Sequence, residues 1–296
     1  MEPENKETTS LPKAIVMYSN NAGHSPFLKH KEEVESALSP IFDLTFVETK
    51  SMEEGERVTR ESCGNYDTLI LYGGDGTLNN IINVLSKCDN APKLAYLGGG
   101  TLNDGGKNFG VKNLKSGLSL IQKGHVGEFD VISNGEHSFF YLGGFGAYMD
   151  VSYIAKRKVK KLLGRITYYI LCIGEMFKIQ RHKVKISSEE GLLYEGKVCS
   201  LSILNGKWLG GMKVNAKGSL NDGVADILIV KPRLFNGFIR YVFHRGFVRL
   251  SGKRIHIELE EDLPWCFDGE KGPNGSLDLE VKNRCIKAYC DPKVLI

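Results

Sequence analysis

The sequence predicts an α/β domain built on a parallel sheet, joined to a second domain that is an antiparallel β-sandwich. Two observations carry this reading. Over the first ~125 residues, short apolar runs alternate with polar, helix-prone stretches, the β-α-β-α rhythm of a parallel sheet covered by helices. After about Phe129 the apolar runs shorten, and Gly, Asn and Asp punctuate them, as in antiparallel strands joined by turns.

The elements follow in order. "AIVMY" (Ala14–Tyr18) is a short apolar strand and "KHKEEVESAL" a polar helix. "FDLTFVE" alternates as a strand, and "MEEGERVTRES" is a charged helix. "TLILY" (Thr68–Tyr72) is apolar enough for a strand buried on both faces. "TLNNIINVLS" sets Leu78, Ile81, Ile82 and Leu85 on one helical face, with the helix starting near Thr77, and "KLAYLG" is the next strand. Beyond these, "FFYLGGFGAYMDV", "KVKISS", "LYEGKVCSLSILN", "VADILIV", "RIHIELE" and "LDLEVKN" read as strands. Helical stretches interrupt them at about Lys156–Ile179 and Phe235–Leu250. The expected domains are residues 11–127 and 128–296, with the last strand, about 286–296, a candidate to pack back on the first domain.

Composition narrows the class. The chain has 296 residues, 42% hydrophobic and 25% charged, and a net charge of +4, the make-up of a globular protein that could meet anionic lipid or nucleotide. Nucleic acid is not an expected partner, and a homodimer is left open. Seven cysteines show no zinc-type spacing, so a reduced, cytoplasmic chain is expected. The polar start "MEPENKETTS" is unlike a signal peptide and reads as a frayed tail. The longest apolar run, "ITYYILCIG" (Ile166–Gly174), is far short of the roughly 20 residues a membrane span needs. "KRKVKKLLGR" carries Lys156, Arg157, Lys158, Lys160, Lys161 and Arg165 with no acid among them. It reads either as a solvated helix face or as a peripheral docking face for an anionic membrane.

The chemistry concentrates in "GGDGT" (Gly73–Thr77), which ends a strand and opens a helix. That junction lies at the carboxyl rim of a parallel sheet, where such sheets bind ligands. Glycine lets bare main-chain N–H groups approach a phosphate, and the helix aims its positive end at the same point. Asp75 beside a polyanion makes sense if a divalent cation lies between them, or if it accepts hydrogen bonds from a sugar or hydroxyl. The alternative is a tight turn with an Asp-Gly cap. No Walker or G-x-G-x-x-G loop is present, nor a G-x-S-x-G hydrolase elbow. One strand later, "YLGGGTLNDGGKNFG" (Tyr96–Gly110) repeats the pattern, with Thr101 as N-cap, while Gly105 and Gly106 could simply break a helix.

Together "GGDGT" and "GGGTLND" resemble the catalytic family of diacylglycerol kinases, in its bacterial soluble branch, related to sphingosine and ceramide kinases. "LNDGVADILIV" (Leu220–Val230) and "FDGE" (Phe267–Glu270) resemble two later segments of that family, so the resemblance spans nearly the whole chain. It implies an ATP-dependent lipid kinase that needs Mg²⁺, most simply converting diacylglycerol to phosphatidic acid. It implies that Gly73, Gly74, Asp75, Gly76 and Thr77 hold the ATP phosphates and orient Mg²⁺. Thr101 and Thr49 would lie near the nucleotide, as would the turn after the first strand with Ser19, Asn20 and Gly23. Asp222 would bind a structural Mg²⁺ with the carbonyls of Ser219 and Val224. Glu270, with Asp268 beside it, would accept the proton of the lipid hydroxyl, and Asp75 completes the catalytic acids.

The chain departs from the family pattern twice. "YSNNAGHS" lacks the family's proline and has His24 where a cation is common, and "NDGGKNFG" has glycines in place of "NDFA". The alternatives are an NAD kinase-like enzyme, which shares the "GGDGT" loop, and a catalytically weak nucleotide-binding regulatory protein of the same fold.

Overall fold

The computed structural model describes residues 10–19, 26–100, 103–147, 149, 180–209, 212–232 and 248–295. Four parallel strands come first: β1 (Lys13–Tyr18), β2 (Asp43–Glu48), β3 (Thr68–Tyr72) and β4 (Lys93–Tyr96). Among them run α1 (Lys31–Leu38), α2 (Met52–Ser62) and α3 (Asp75–Leu85), then α4 (Asp104–Phe109) and α5 (Leu114–Lys123). The strands that follow are β5 (Val126–Ser133), β6 (Ser138–Phe139), β7 (Leu142–Gly146), β8 (His182–Ser188), β9 (Gly191–Val198) and β10 (Ser200–Leu204). Next come β11 (Trp208–Leu209), β12 (Met212–Lys213), β13 (Ala225–Val230) and β14 (Val248–Gly252). The last are β15 (Arg254–Leu259), β16 (Pro264–Phe267), β17 (Glu270–Asn274) and β18 (Leu277–Tyr289).

Strand β3 is buried at every residue because helices cover both faces of the parallel sheet. Its two faces feed two cores. Leu69 and Leu71 join Ile15, Met17, Leu94 and Tyr96 under the apolar stripe of α3, Leu78, Ile81, Ile82 and Leu85. Ile70 and Tyr72 join Val16, Tyr18 and Ala95 under Val34 and Leu38 of α1 and Leu118 and Ile121 of α5. Ser51 caps α2 by accepting from the Glu54 N–H at 3.2 Å, which satisfies one orphan amide of the first turn.

The long strand β18 joins the two halves. It pairs parallel to β4 at Ala288–Leu94 and antiparallel to both β5 and β15. One sheet therefore runs β2-β1-β3-β4-β18-β15-β8-β9, with β5 and β6 alongside. A second, wholly antiparallel sheet runs β14-β13-β10-β7-β16-β17. The two sheets close over Ile132, Phe145, Ile186, Ile203, Ile257 and Trp265 to form the sandwich.

Three sequence expectations need correction. "LYEGKVCSLSILN" is not one strand: the chain leaves β9 at Val198 and enters β10 at Ser200, in the other sheet. Val248–Leu250 do not end a helix but open β14, where Arg249 pairs with Leu228, since β13 offers an edge for them to pair with. The remainder of that expected helix, at 235–247, lies outside the described residues, as does the whole expected helix of 156–179 with its basic stretch. Gly105 and Gly106 sit inside α4 rather than breaking it. A Cβ at Gly105 would stand 2.5 Å from Leu78 Cδ2, so the close packing of α4 on α3 calls for glycine.

Candidate active site

The parallel register sets the rim. Tyr18 pairs with Glu48 and with Tyr72, so Ser19, Thr49 and Gly73 leave the sheet at the same level. Ser19 is half-buried there, and buried Thr49 is tied back by its N–H to Tyr18 O at 2.8 Å. Leu97 continues the register by donating to Leu71 O at 2.9 Å, which brings Gly98–Gly100 beside Gly73 and Gly74.

The two glycine segments touch through bare backbone. Gly99 has φ 148°, and a Cβ there would stand 2.8 Å from Gly73 O. A Cβ on Gly74 would meet Gly100 Cα at 3.8 Å. Buried Tyr96 pins the loop, its hydroxyl donating to Gly73 O at 2.8 Å. Helix α3 begins at Asp75, two residues before Thr77, with Gly74 as N-cap in extended conformation and no side chain capping it. Its first-turn amides therefore meet no capping side chain at the rim, which is the arrangement an anion needs.

Asp75 is half-buried in the first turn and accepts from the Gly105 N–H at 3.1 Å. Burial, and then the buried Asp104 carboxylate, push it up to about 7, against the amides of Asn103, Asp104 and Gly105. Lys107 offsets part of this charge, its Nζ lying 3.7 Å from Asp104 Oδ1 and 5.4 Å from the Trp208 ring centre. Asn103 caps α4 in the left-handed conformation, φ 55°. Thr101, expected in that role, lies outside the described residues, as do Asn20 and Gly23.

The second sheet supplies the opposite wall. β16 and β17 form a hairpin in which Phe267 pairs with Glu270, and Asp268 and Gly269 turn with φ 48° and 90°. Glu270 is exposed, and a Cβ at Gly76 would stand 2.6 Å from its Oε1. The far lobe thus places a carboxylate against the first turn of α3. Asp268, two residues earlier, is buried. Its carboxylate accepts from the N–H groups of Phe140 at 2.6 Å, Tyr141 at 3.0 Å and Leu142 at 2.8 Å. Asn79 of α3 adds a fourth donor, its amide reaching Asp268 Oδ2 at 3.0 Å and Ser138 O at 3.2 Å. Burial pushes Asp268 up to about 7, while those three main-chain amides favour its ionised form.

Asp222 stands apart from this cleft. It is exposed, and its Oδ1 accepts from the Val224 N–H at 3.1 Å, while Ser219 Oγ donates to Asn221 Oδ1 at 2.8 Å. The loop is anchored by buried Asp130, which accepts from Gly223 N–H at 2.6 Å and Arg284 N–H at 2.7 Å. Burial raises Asp130, and the amides of Arg284 and Gly223 oppose the rise. Among the described residues, no group of three or more His, Cys, Asp or Glu is arranged to hold a metal, and no helix is long and apolar enough to cross a membrane. Asp104, Asn79 and Asp130 received no role from sequence reasoning. The one available signal was Asp130, an acid set between apolar residues of a strand.

The family described as the diacylglycerol kinase catalytic domain matches residues 13–134. A diacylglycerol kinase of Staphylococcus aureus (strain MRSA252) is 29% identical over 290 residues, covering 90% of this chain and 90% of that protein. A diacylglycerol kinase of Bacillus subtilis (strain 168) is 24% identical over 276 residues, covering 88% and 91%. A solved diacylglycerol kinase structure from Bacillus anthracis str. Sterne superposes with TM-score 0.83 at 27% identity, covering 97% of this chain and 99% of that one. An NAD kinase from Archaeoglobus fulgidus, solved with ATP, shares the fold alone, at TM-score 0.54 and 13% identity. With its two glycine-rich strand ends facing a carboxylate from the second sheet, the chain is similar to the diacylglycerol kinase catalytic domain over residues 13–134 and to bacterial diacylglycerol kinases over most of its length.

Proposed function

We propose that this protein is an ATP- and Mg²⁺-dependent lipid kinase that phosphorylates a lipid hydroxyl, with diacylglycerol as the acceptor and phosphatidic acid as the product. The observation that carries the reading is the approach of the Glu270 carboxylate to Gly76, in the first turn of the helix that follows the glycine loop. Phosphoryl transfer needs a phosphate seat, charge neutralisation and a carboxylate near the attacking hydroxyl, held in one cleft.

The roles follow from the positions. The amides of Gly73–Thr77 seat the phosphates, with Ser19 and Thr49 beside them on the same rim. Glu270 accepts the proton of the attacking hydroxyl. Asp268 acts as a positioning residue: its carboxylate is taken up by the amides of Phe140 and Tyr141, between β6 and β7, by that of Leu142 at the start of β7, and by Asn79, so it holds the hairpin that presents Glu270. The oxygen-donor set suits a hard cation. Asp75 would hold one in the cleft, where it supplies charge neutralisation for the phosphates. Asp222, with the Ser219 and Val224 carbonyls, would hold a structural one. An acceptor embedded in a bilayer implies peripheral membrane contact, for which the Lys156–Arg165 stretch is the candidate.

The test is purified protein with Mg²⁺ and labelled ATP, offered diacylglycerol vesicles, a sphingoid base and NAD in turn. Labelled phosphatidic acid is expected. Label only in the sphingoid base would change the acceptor, and label only in NADP would overturn the lipid reading. Bound ATP with no labelled product would favour a regulatory protein.

A further inference from the structure

The thiols of Cys63 and Cys88 meet where α2 and α3 end, at the opposite end of α3 from the glycine loop. Cys63 is the C-cap of α2, and Cys88 follows the last turn of α3. Each thiol turns back along its own segment, Cys63 donating to Thr59 O and Cys88 to Val84 O, both at 3.4 Å. The two thiols are neighbours, near enough for Cys88 to disfavour the Cys63 thiolate. The main chain fixes the approach, because the Gly64 N–H donates to Asn90 O at 2.9 Å. Both cysteines are partly exposed, whereas Cys199, Cys266 and Cys290 are buried.

We propose that Cys63 and Cys88 form a redox-modification site that closes to a disulfide, with a low-molecular-weight disulfide as its oxidant. Two neighbouring thiols, on segments tied to each other by a main-chain hydrogen bond, meet the first requirement of a disulfide, proximity. Burial, and then the Cys88 thiol, push Cys63 up to about 12. One thiol of the pair, as its thiolate, attacks one sulfur of the oxidant, forming a mixed disulfide and releasing one thiolate. The other thiol then loses its proton and attacks the protein sulfur of that mixed disulfide, releasing the second. The protein pair loses two electrons and two protons, and the oxidant leaves as two thiols. The new bond encloses β3 and α3, and it ties down the helix that carries the glycine loop without touching the cleft.

The test uses the full chain and oxidised glutathione. Trypsin separates Cys63, in Glu61–Lys87, from Cys88, in Cys88–Lys93. After oxidation these two peptides are expected as one linked species, about 2 Da lighter than their sum and reversed by a reducing agent. The melting temperature of the oxidised chain should rise by several degrees, because the unfolded chain is constrained. Cys63→Ser should stop the reaction at a glutathione adduct on Cys88. Recovery of both peptides unlinked from oxidised wild-type chain, whether alkylated or singly glutathionylated, would overturn the proposal. That readout needs no variant to fold.

Discussion

Gly76→Ala separates the geometry of the cleft from the stability of the fold. A methyl group at Gly76 would lie 2.6 Å from Glu270 Oε1, where ordinary contact lies near 3.5 Å, so one of the two must yield by about 1 Å. The yielding atom is the tip of a flexible, exposed side chain, so the fold should tolerate the change. Gly76 does not have positive φ and lies in the first turn of α3, where alanine is favoured over glycine by up to about 1 kcal/mol. The melting temperature is therefore expected to hold or to rise by about 2–4 °C. Turnover is expected to fall by about 10²-fold, the usual consequence of displacing a catalytic group by 1 Å. The assay is steady-state transfer of labelled phosphate to lipid beside a thermal melt, repeated in a Glu270→Ala background. If the methyl acts by displacing Glu270, it should cost almost nothing further once Glu270 is gone. A Gly76→Ala enzyme within threefold of the parent would refute the reasoning, as would a full additional loss in the Glu270→Ala background.

Three further outcomes follow from the same contacts. Asp268→Asn should lower stability by about 1–3 kcal/mol, because an amide group then faces main-chain donors, and should lower kcat more than it raises KM; a stable variant with normal kcat would remove the positioning role. Asp75 and Asp268 are each pushed up to about 7 in the folded chain, above the 3.8 usual for an aspartate, chiefly by burial. The folded state therefore keeps protons that the unfolded chain sheds first, so this contribution is full below about pH 4 and is lost as the pH rises through about 7. Asp75→Asn should flatten that decline in denaturant titrations of the ligand-free protein, and an unchanged pH profile would count against it. Asp222→Ala should reduce the rise in melting temperature on adding Mg²⁺ at concentrations above its Kd, and a full Mg²⁺ response would exclude Asp222 as a ligand.

Much of this was legible in the sequence because it is periodic or local. The stripe Leu78, Ile81, Ile82 and Leu85 and the unbroken run of β3 declare α3 and a strand covered on both faces. The glycine segments mark the rim because glycine tolerates the backbone contact between Gly99 and Gly73. What stayed hidden depends on partners distant in the chain. "DGEKG" looks like an exposed turn, and nothing local says that Asp268 receives amides 126 to 128 residues earlier. The same holds for Asp130, whose partners are 93 and 154 residues away. Cys199 divides two strands of different sheets with no Gly or Pro to mark the passage.

The central claim, a phosphate seat on α3 served by a carboxylate from the second sheet, is tested most directly by Glu270→Gln in single-turnover transfer from labelled ATP to diacylglycerol vesicles. The expected result is labelled phosphatidic acid from the parent, a loss of at least about 10²-fold in the variant, and an unchanged Kd for ATP. Transfer by the variant at the parent's rate would contradict the account.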